Sequence, residues 1–124
     1  MKKLKSLKWI NDRMEKCRCE PACLSDSKKI KPRVDKMIRK AGLTIVGYST
    51  HQFDRGYTSV WLFKQSHLSL HSWPEYNFVT LSLEVCNFKQ DDASKIDRLY
   101  AAILEFFKPE RSRPKRLTTR LDVS

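Results

Sequence analysis

The sequence predicts a two-layer α/β sandwich, with two amphipathic helices on one face of a mostly antiparallel sheet and a second copy of the chain on the other. Three observations carry this. Apolar residues recur at helical spacing over 30–41 and again over 96–107. Between them lie strand-like runs, the clearest of which alternates strictly over 78–86. The chain has 124 residues, enough for one core and too few for two. Its 40% hydrophobic content fits a packed interior rather than disorder.

Each element follows from local chemistry. Residues 1–24 have mixed charge and no clear period; Leu4, Leu7, Trp9 and Ile10 could pack a short strand or a helical turn. Ser25-Asp26-Ser27 is an N-cap cluster. The helix after it presents Ile30, Val34, Met37, Ile38 and Ala41 on one face, and Lys28, Lys29, Lys36, Arg39 and Lys40 on the others. Pro32 is tolerated if it sits in the first turn, and Gly42 is a natural C′ stop. Leu43 to Thr50 reads as a strand, 51–56 as a turn, and Tyr57 to Phe63 as a second strand. In 67–73, Leu68 and Leu70 take one face and His67, Ser69 and His71 the other, with Pro74 closing the strand. From Asn77 to Cys86, Val79, Leu81, Leu83 and Val85 oppose Phe78, Thr80, Ser82, Glu84 and Cys86. Asp91-Asp92 opens a second helix, with its carboxylates at the positive end of the dipole. Its stripe is Ile96, Leu99, Tyr100, Ile103 and Phe107, and Pro109 ends it. Residues 110–124 read as a basic, flexible tail. Two helices cover only one face of such a sheet, so a homodimer is the simplest cover for the other.

Composition narrows the function. The net charge of +11 suits nucleic acid, but it is spread along the chain, and no zinc-finger spacing or RNP-like aromatic motif accompanies it. A basic nucleic-acid-binding module is therefore a minor alternative. No apolar run has the length of a membrane span, and the N-terminus lacks an apolar signal core, so the expectation is a cytoplasmic protein. Cys17, Cys19 and Cys23 form C-x-C-x3-C rather than paired C-x2-C, and read as reduced thiols rather than metal ligands.

Chemistry concentrates in 64–75, which holds two histidines, three serines, Trp-Pro and a carboxylate. Ser66, His71 and Cys86 allow two readings. In a hydrolase, Cys86 or Ser66 attacks with a histidine as base; no G-x-S-x-G surrounds Ser66, and Cys86 ends a strand rather than starting a helix. In a self-processing chain, the Ser66 hydroxyl attacks the Gln65 carbonyl to give an ester. Elimination then leaves a dehydroalanine that hydrolyses to a pyruvoyl group, with a histidine moving the protons. Such a carbonyl condenses with an amine and serves as the electron sink of a decarboxylation. Composition alone leaves both readings open.

The stretch Gln65-Ser66-His67-Leu68-Ser69-Leu70-His71-Ser72-Trp73-Pro74-Glu75 resembles the E-S-H-x-x-I-H-T-W-P-E signature of the prokaryotic-type, pyruvoyl-dependent S-adenosylmethionine decarboxylase family, with Cys86 at the family's spacing. Ala41 to Gly47 resembles its A-G-A-T-I-V-G, His51-Gln52-Phe53 with Gly56 its H-x-F-x-P-x-G turn, and Cys19 to Asp26 its C-D-P-x-x-L-x-D. The resemblance implies cleavage into a β chain, 1–65, and an α chain, 66–124, with Ser66 becoming the pyruvoyl cofactor and neither PLP nor metal required. It implies His71 and Thr58 as processing residues and Cys86 as the proton donor. Glu75 would contact the substrate ribose, and Phe53 would stack on adenine. It also implies a dimer and a role in spermidine synthesis. Gln65 for Glu, Ser82 for Asp and Asn87 for Gly depart from the pattern near the substrate, so arginine or ornithine is the alternative substrate. An inactive regulatory paralogue is a further alternative.

Overall fold

The computed structural model describes residues 5–64, 66–87 and 93–121. In chain order these form β1 (Lys5–Cys17), α1 (Ala22–Ser25), α2 (Ser27–Lys40), β2 (Gly47–Gln52), β3 (Tyr57–Leu62), β4 (Ser66–Trp73), a 3-10 turn (Pro74–Tyr76), β5 (Phe78–Asn87), α3 (Ala93–Phe107), β6 (Pro109–Ser112) and β7 (Lys115–Leu121). The described residues thus make one seven-stranded sheet in the order β2-β3-β4-β5-β1-β6, with β7 beside β6 along the same edge of β1. Every pairing is antiparallel.

The helices lie on one face. Ile10, Met14, Tyr57, Trp61, Leu68, Leu70, Val79, Leu81, Leu83 and Val85 point toward them and are buried. They meet Ile30, Val34 and Ile38 of α2 and Ile96, Leu99, Ile103 and Phe107 of α3. The cap cluster behaves as expected: the Asp26 side chain accepts from the Lys28 N–H. At the other end Gly42 (φ 92°) makes the left-handed turn, with the Gly42 N–H on Arg39 O and the Leu43 N–H on Ile38 O. Trp61 Nε1 donates to the buried Asp35 carboxylate at 2.8 Å, fixing α2 to β3.

Several expectations are corrected. Residues 5–17, open between a short strand and a helical turn in the sequence, form a strand of 13 residues. Its alternation was hidden because Asp12, a carboxylate, occupies a core-facing position between Ile10 and Met14. Residues 43–46 are irregular, and β2 runs through His51 and Gln52, which were assigned to a turn. Pro32 falls in the second turn of α2, where it leaves the Lys28 carbonyl without its helical donor on an exposed side. The short α1 adds a helix to the two expected. Asp91-Asp92 lies outside the described residues.

The largest correction concerns 110–124. Up to residue 121 this segment is not a flexible tail but two strands that complete the edge of β1. Asp12 holds them there. It is 2% exposed and accepts from Tyr100 Oη and Ser112 Oγ at 2.6 Å each and from the Arg113 N–H at 2.8 Å. Burial, with the Asp12 bond adding, pushes the Tyr100 hydroxyl up to about 12, so it stays a donor. Asp97 of α3 adds ion pairs to Lys8 and Arg116. Asp12→Ala removes the buried acceptor that Tyr100, Ser112 and Arg113 share, leaving only the weaker Tyr100–Ser112 contact at 3.3 Å and the Arg113 N–H bond to Arg13 O at 3.2 Å, and is expected to cost about 2–4 kcal/mol. Urea unfolding reads this; an unshifted midpoint would refute the role.

Candidate active site

The face of the sheet away from the helices mixes polar and apolar side chains and is uncovered by described residues. One transverse row across it runs His51, Thr58, His71, Thr80 and Arg13, each the register partner of the next. The next row runs Ser49, Val60, Ser69, Ser82, Asn11 and Lys115. Thr58, Ser69, His71, Thr80 and Ser82 line a concavity of about 460 Å³, with Arg13, Arg113 and Lys115 at its border.

His71 is half-buried and stacks on Trp73 (centroids 4.0 Å apart, 16° between planes). Phe53 stacks on it more distantly, at 5.8 Å and 14°, and meets His51 edge-on. Its ring nitrogens make no hydrogen bond to a described residue. Phe53 and Trp73 are exposed, at 45% and 36%. Glu75 is exposed in the 3-10 turn that follows.

The Phe53 turn is held tightly. Gln52 Nε2 donates to the carbonyls of Ser25, Phe53 and Gly56, while its Oε1 accepts the Ser27 N–H at the start of α2. Ser72, buried behind His71, accepts the Tyr57 N–H at 3.0 Å and donates to Leu24 O at 2.6 Å. Tyr57 Oη, kept protonated by burial, donates to Cys23 O at 2.6 Å. A Cβ on Gly56 would stand 2.5 Å from Ser72 O and 2.9 Å from Pro74 Cδ, so glycine alone lets this turn close on β4. Gln52, Ser72 and Trp73 went unassigned in the sequence because their roles lie in contacts with distant segments. The Trp-Pro pair beside His71 was the one local signal.

Ser66 and Cys86 lie elsewhere. Ser66 is the first residue of β4, half-buried, and its carbonyl accepts the Phe63 N–H at 2.9 Å across the turn from β3. It pairs with Val85, next to Cys86, which is buried and pairs with Leu7. Strand alternation sets Cys86 on the open face and Ser66 on the helix-facing side. Ser66 is five residues from His71 along one strand, roughly 16 Å. The structure therefore brings together Phe53, Thr58, His71 and Glu75 at one end of the sheet, and Ser66 with Cys86 at the other; it does not join the two groups within one chain. Gln65 lies outside the described residues. Asn87 pairs with Ser6 at the end of β5.

The early thiols are not activated. Burial pushes Cys17 up to about 12 and Cys19 up to about 11, and also raises Cys23. Among the described residues no group of three His, Cys, Asp or Glu is arranged to hold a metal. No described helix is long and apolar enough to cross a membrane.

Fold and site define a two-layer α/β protein that displays a histidine, hydroxyl side chains and a thiol on the open face of an antiparallel sheet. The sequence profile of S-adenosylmethionine decarboxylase matches residues 13–119. The S-adenosylmethionine decarboxylase proenzyme of Archaeoglobus fulgidus is 41% identical over 81 residues, covering 64% of this chain and 69% of that protein. That of Picrophilus torridus is 36% identical over 87 residues, 69% of this chain and 64% of its own length. In fold the chain is similar to the crystal structure of the adenosylmethionine decarboxylase from Aquifex aeolicus, with a TM-score of 0.77 at 24% identity, covering 94% of this chain and 91% of that one. The chain belongs to the S-adenosylmethionine decarboxylase family.

Proposed function

We propose that this protein is a self-processing, pyruvoyl-dependent decarboxylase of S-adenosylmethionine, supplying the aminopropyl donor for spermidine synthesis in the cytoplasm. Family membership supports the reaction. The observation that carries the mechanism is the division of the site: Ser66 and Cys86 at one end of the sheet, Phe53, Thr58, His71 and Glu75 at the other. A two-fold axis through the open face turns one copy end for end against the other. His71 and Thr58 of one protomer then serve Ser66 of its partner. The exposed Leu62 and Leu117 and the half-buried Trp9, whose Nε1 has no acceptor among the described residues, give that face apolar surface for pairing.

In processing, Ser66 Oγ attacks the Gln65 carbonyl and the acyl group passes from nitrogen to oxygen. Elimination releases the 1–65 carboxylate, and hydrolysis releases ammonia. Thr58 and the unengaged ring nitrogens of His71 hold and move the protons. Scission needs no side chain from residue 65, so Gln65 is compatible with it. The pyruvoyl group supplies a carbonyl electron sink. The position suits it: the head of a strand, half-buried among Val85 and Cys86, where cleavage lets the new terminus swing toward the open face. Cys86 returns a proton to the substrate carbon after carbon dioxide leaves. Phe53 takes the adenine on its exposed ring and Glu75 the ribose hydroxyls.

Exposed aromatic rings beside His71 suit a planar base better than an aliphatic cation, which favours S-adenosylmethionine over arginine or ornithine. Carbon dioxide release from the three labelled substrates tests this. Release from S-adenosylmethionine is expected to exceed the others by about 100-fold or more, the scale on which an unfilled recognition site discriminates. Comparable or greater release from arginine or ornithine would overturn the assignment.

A further inference from the structure

The helix layer carries a feature the decarboxylase reading does not use. On α2, Arg33, Lys36, Met37 and Lys40 fall at i, i+3, i+4 and i+7 and make one stripe beside the buried one. On α3, Arg98, Ala102 and Phe106 make the facing stripe. Together they wall a groove of about 550 Å³ whose floor is Met37, Ala102 and Phe106 and whose walls are cationic. It continues past Arg33 and Phe106 into a second hollow of about 500 Å³ reaching Arg18 and Lys108. Arg33, Lys36 and Lys40 form no ion pair with a described residue. The only acid of α2, Asp35, is buried and engaged by Trp61 and Lys31. Like charges at i, i+3 and i+4 repel, so among the described residues this stripe opposes helix stability without an acidic partner.

We infer that this groove docks an acidic amphipathic helix of a partner protein, its apolar side chains seated over Ala102 and its carboxylates on Arg33, Lys36, Lys40 and Arg98. Charge complementarity selects the sign, and the apolar floor selects the class. A nucleic acid needs phosphate contacts along an open basic track, whereas here Glu20 and Glu105 border the far hollow and, among the described residues, Phe106 is the only aromatic side chain lining either cavity. Ala102, small between Met37 and Phe106, leaves room for one inserted side chain. The groove is on the face opposite the open sheet, so docking is compatible with pairing of two open faces.

The test uses the full-length protein and fluorescein-labelled peptides of about 16 residues. One is a helical peptide with leucines at i, i+3, i+4 and i+7 and glutamates flanking them; the second replaces the leucines by glutamine at the same charge; the third probe is a single-stranded DNA of similar length. Anisotropy titrations at near-physiological salt are expected to show saturable binding of the leucine peptide, at least about 10-fold tighter than of the other two. Lys36→Glu with Lys40→Glu, and separately Ala102→Phe, should each weaken it about 10-fold while leaving decarboxylation unchanged. Equal binding of the leucine-free peptide or the DNA, no saturable binding, or binding indifferent to both variants would overturn the proposal.

Discussion

Ser66→Ala is expected to abolish self-cleavage completely. The hydroxyl is the proposed nucleophile and the source of the cofactor, and no neighbouring group replaces it: Cys86 is one residue out of register on the next strand and across the sheet plane. Denaturing mass spectrometry of the unaltered protein should show two pieces, 1–65 and 66–124, the second blocked by a pyruvoyl group. The Ser66→Ala chain should run as one species of 14.6 kDa with no decarboxylase activity. The topology adds a second readout. β1, from the first piece, lies between β5 on one side and β6 and β7 on the other, all from the second piece, and β3 pairs with β4 across the cut. The pieces should therefore stay together in native mass spectrometry and part only on denaturation. Intact wild-type chain would remove the pyruvoyl reading and leave the regulatory paralogue; cleavage in the alanine variant would refute Ser66 as the scission residue.

The second expected result is rescue between two dead proteins. His71→Ala should slow processing by about 100-fold to 10,000-fold, the usual range for a lost acid–base group. If His71 acts on the partner's Ser66, co-expression with Ser66→Ala restores function. In an equal mixture about half the pairs are mixed. Each mixed pair holds one site with both intact Ser66 and intact His71, and one with neither. Cleavage of the His71→Ala chain and about a quarter of wild-type activity should then return. No recovery, in a mixture shown to form mixed pairs, would mean that the roughly 16 Å separation is closed within one chain instead.

Much of this was legible in the residues. The helical stripes of α2 and α3, the alternation of β4 and β5, the Asp26 cap and the Gly42 stop are local patterns read within a turn or two of their own sequence. The run from Ser66 to Glu75 marked the site by its composition. What misled was polarity in unusual positions. Asp12 interrupts the apolar alternation of β1 because its carboxylate is satisfied by Tyr100 and Ser112, each at least 88 residues away in the chain. The edge strand β7, rich in Lys, Arg and Thr, reads as a tail because charged edges resist pairing with other molecules. Gln52 and Ser72 look like ordinary polar residues until the turn at Gly56 closes on β4.

The sequence by itself determined the family and the residue types on which the proposed chemistry rests, because these depend on identity and spacing along the chain. Only the tertiary structure decided how they are divided. Strand register sets Thr58 beside His71 and sends Ser66 and Cys86 to the far end of the sheet, and register is settled by pairing between segments distant in sequence. A short run of residues that reads as one cluster is thus stretched along an extended strand, about 3.3 Å per residue, into two separated groups.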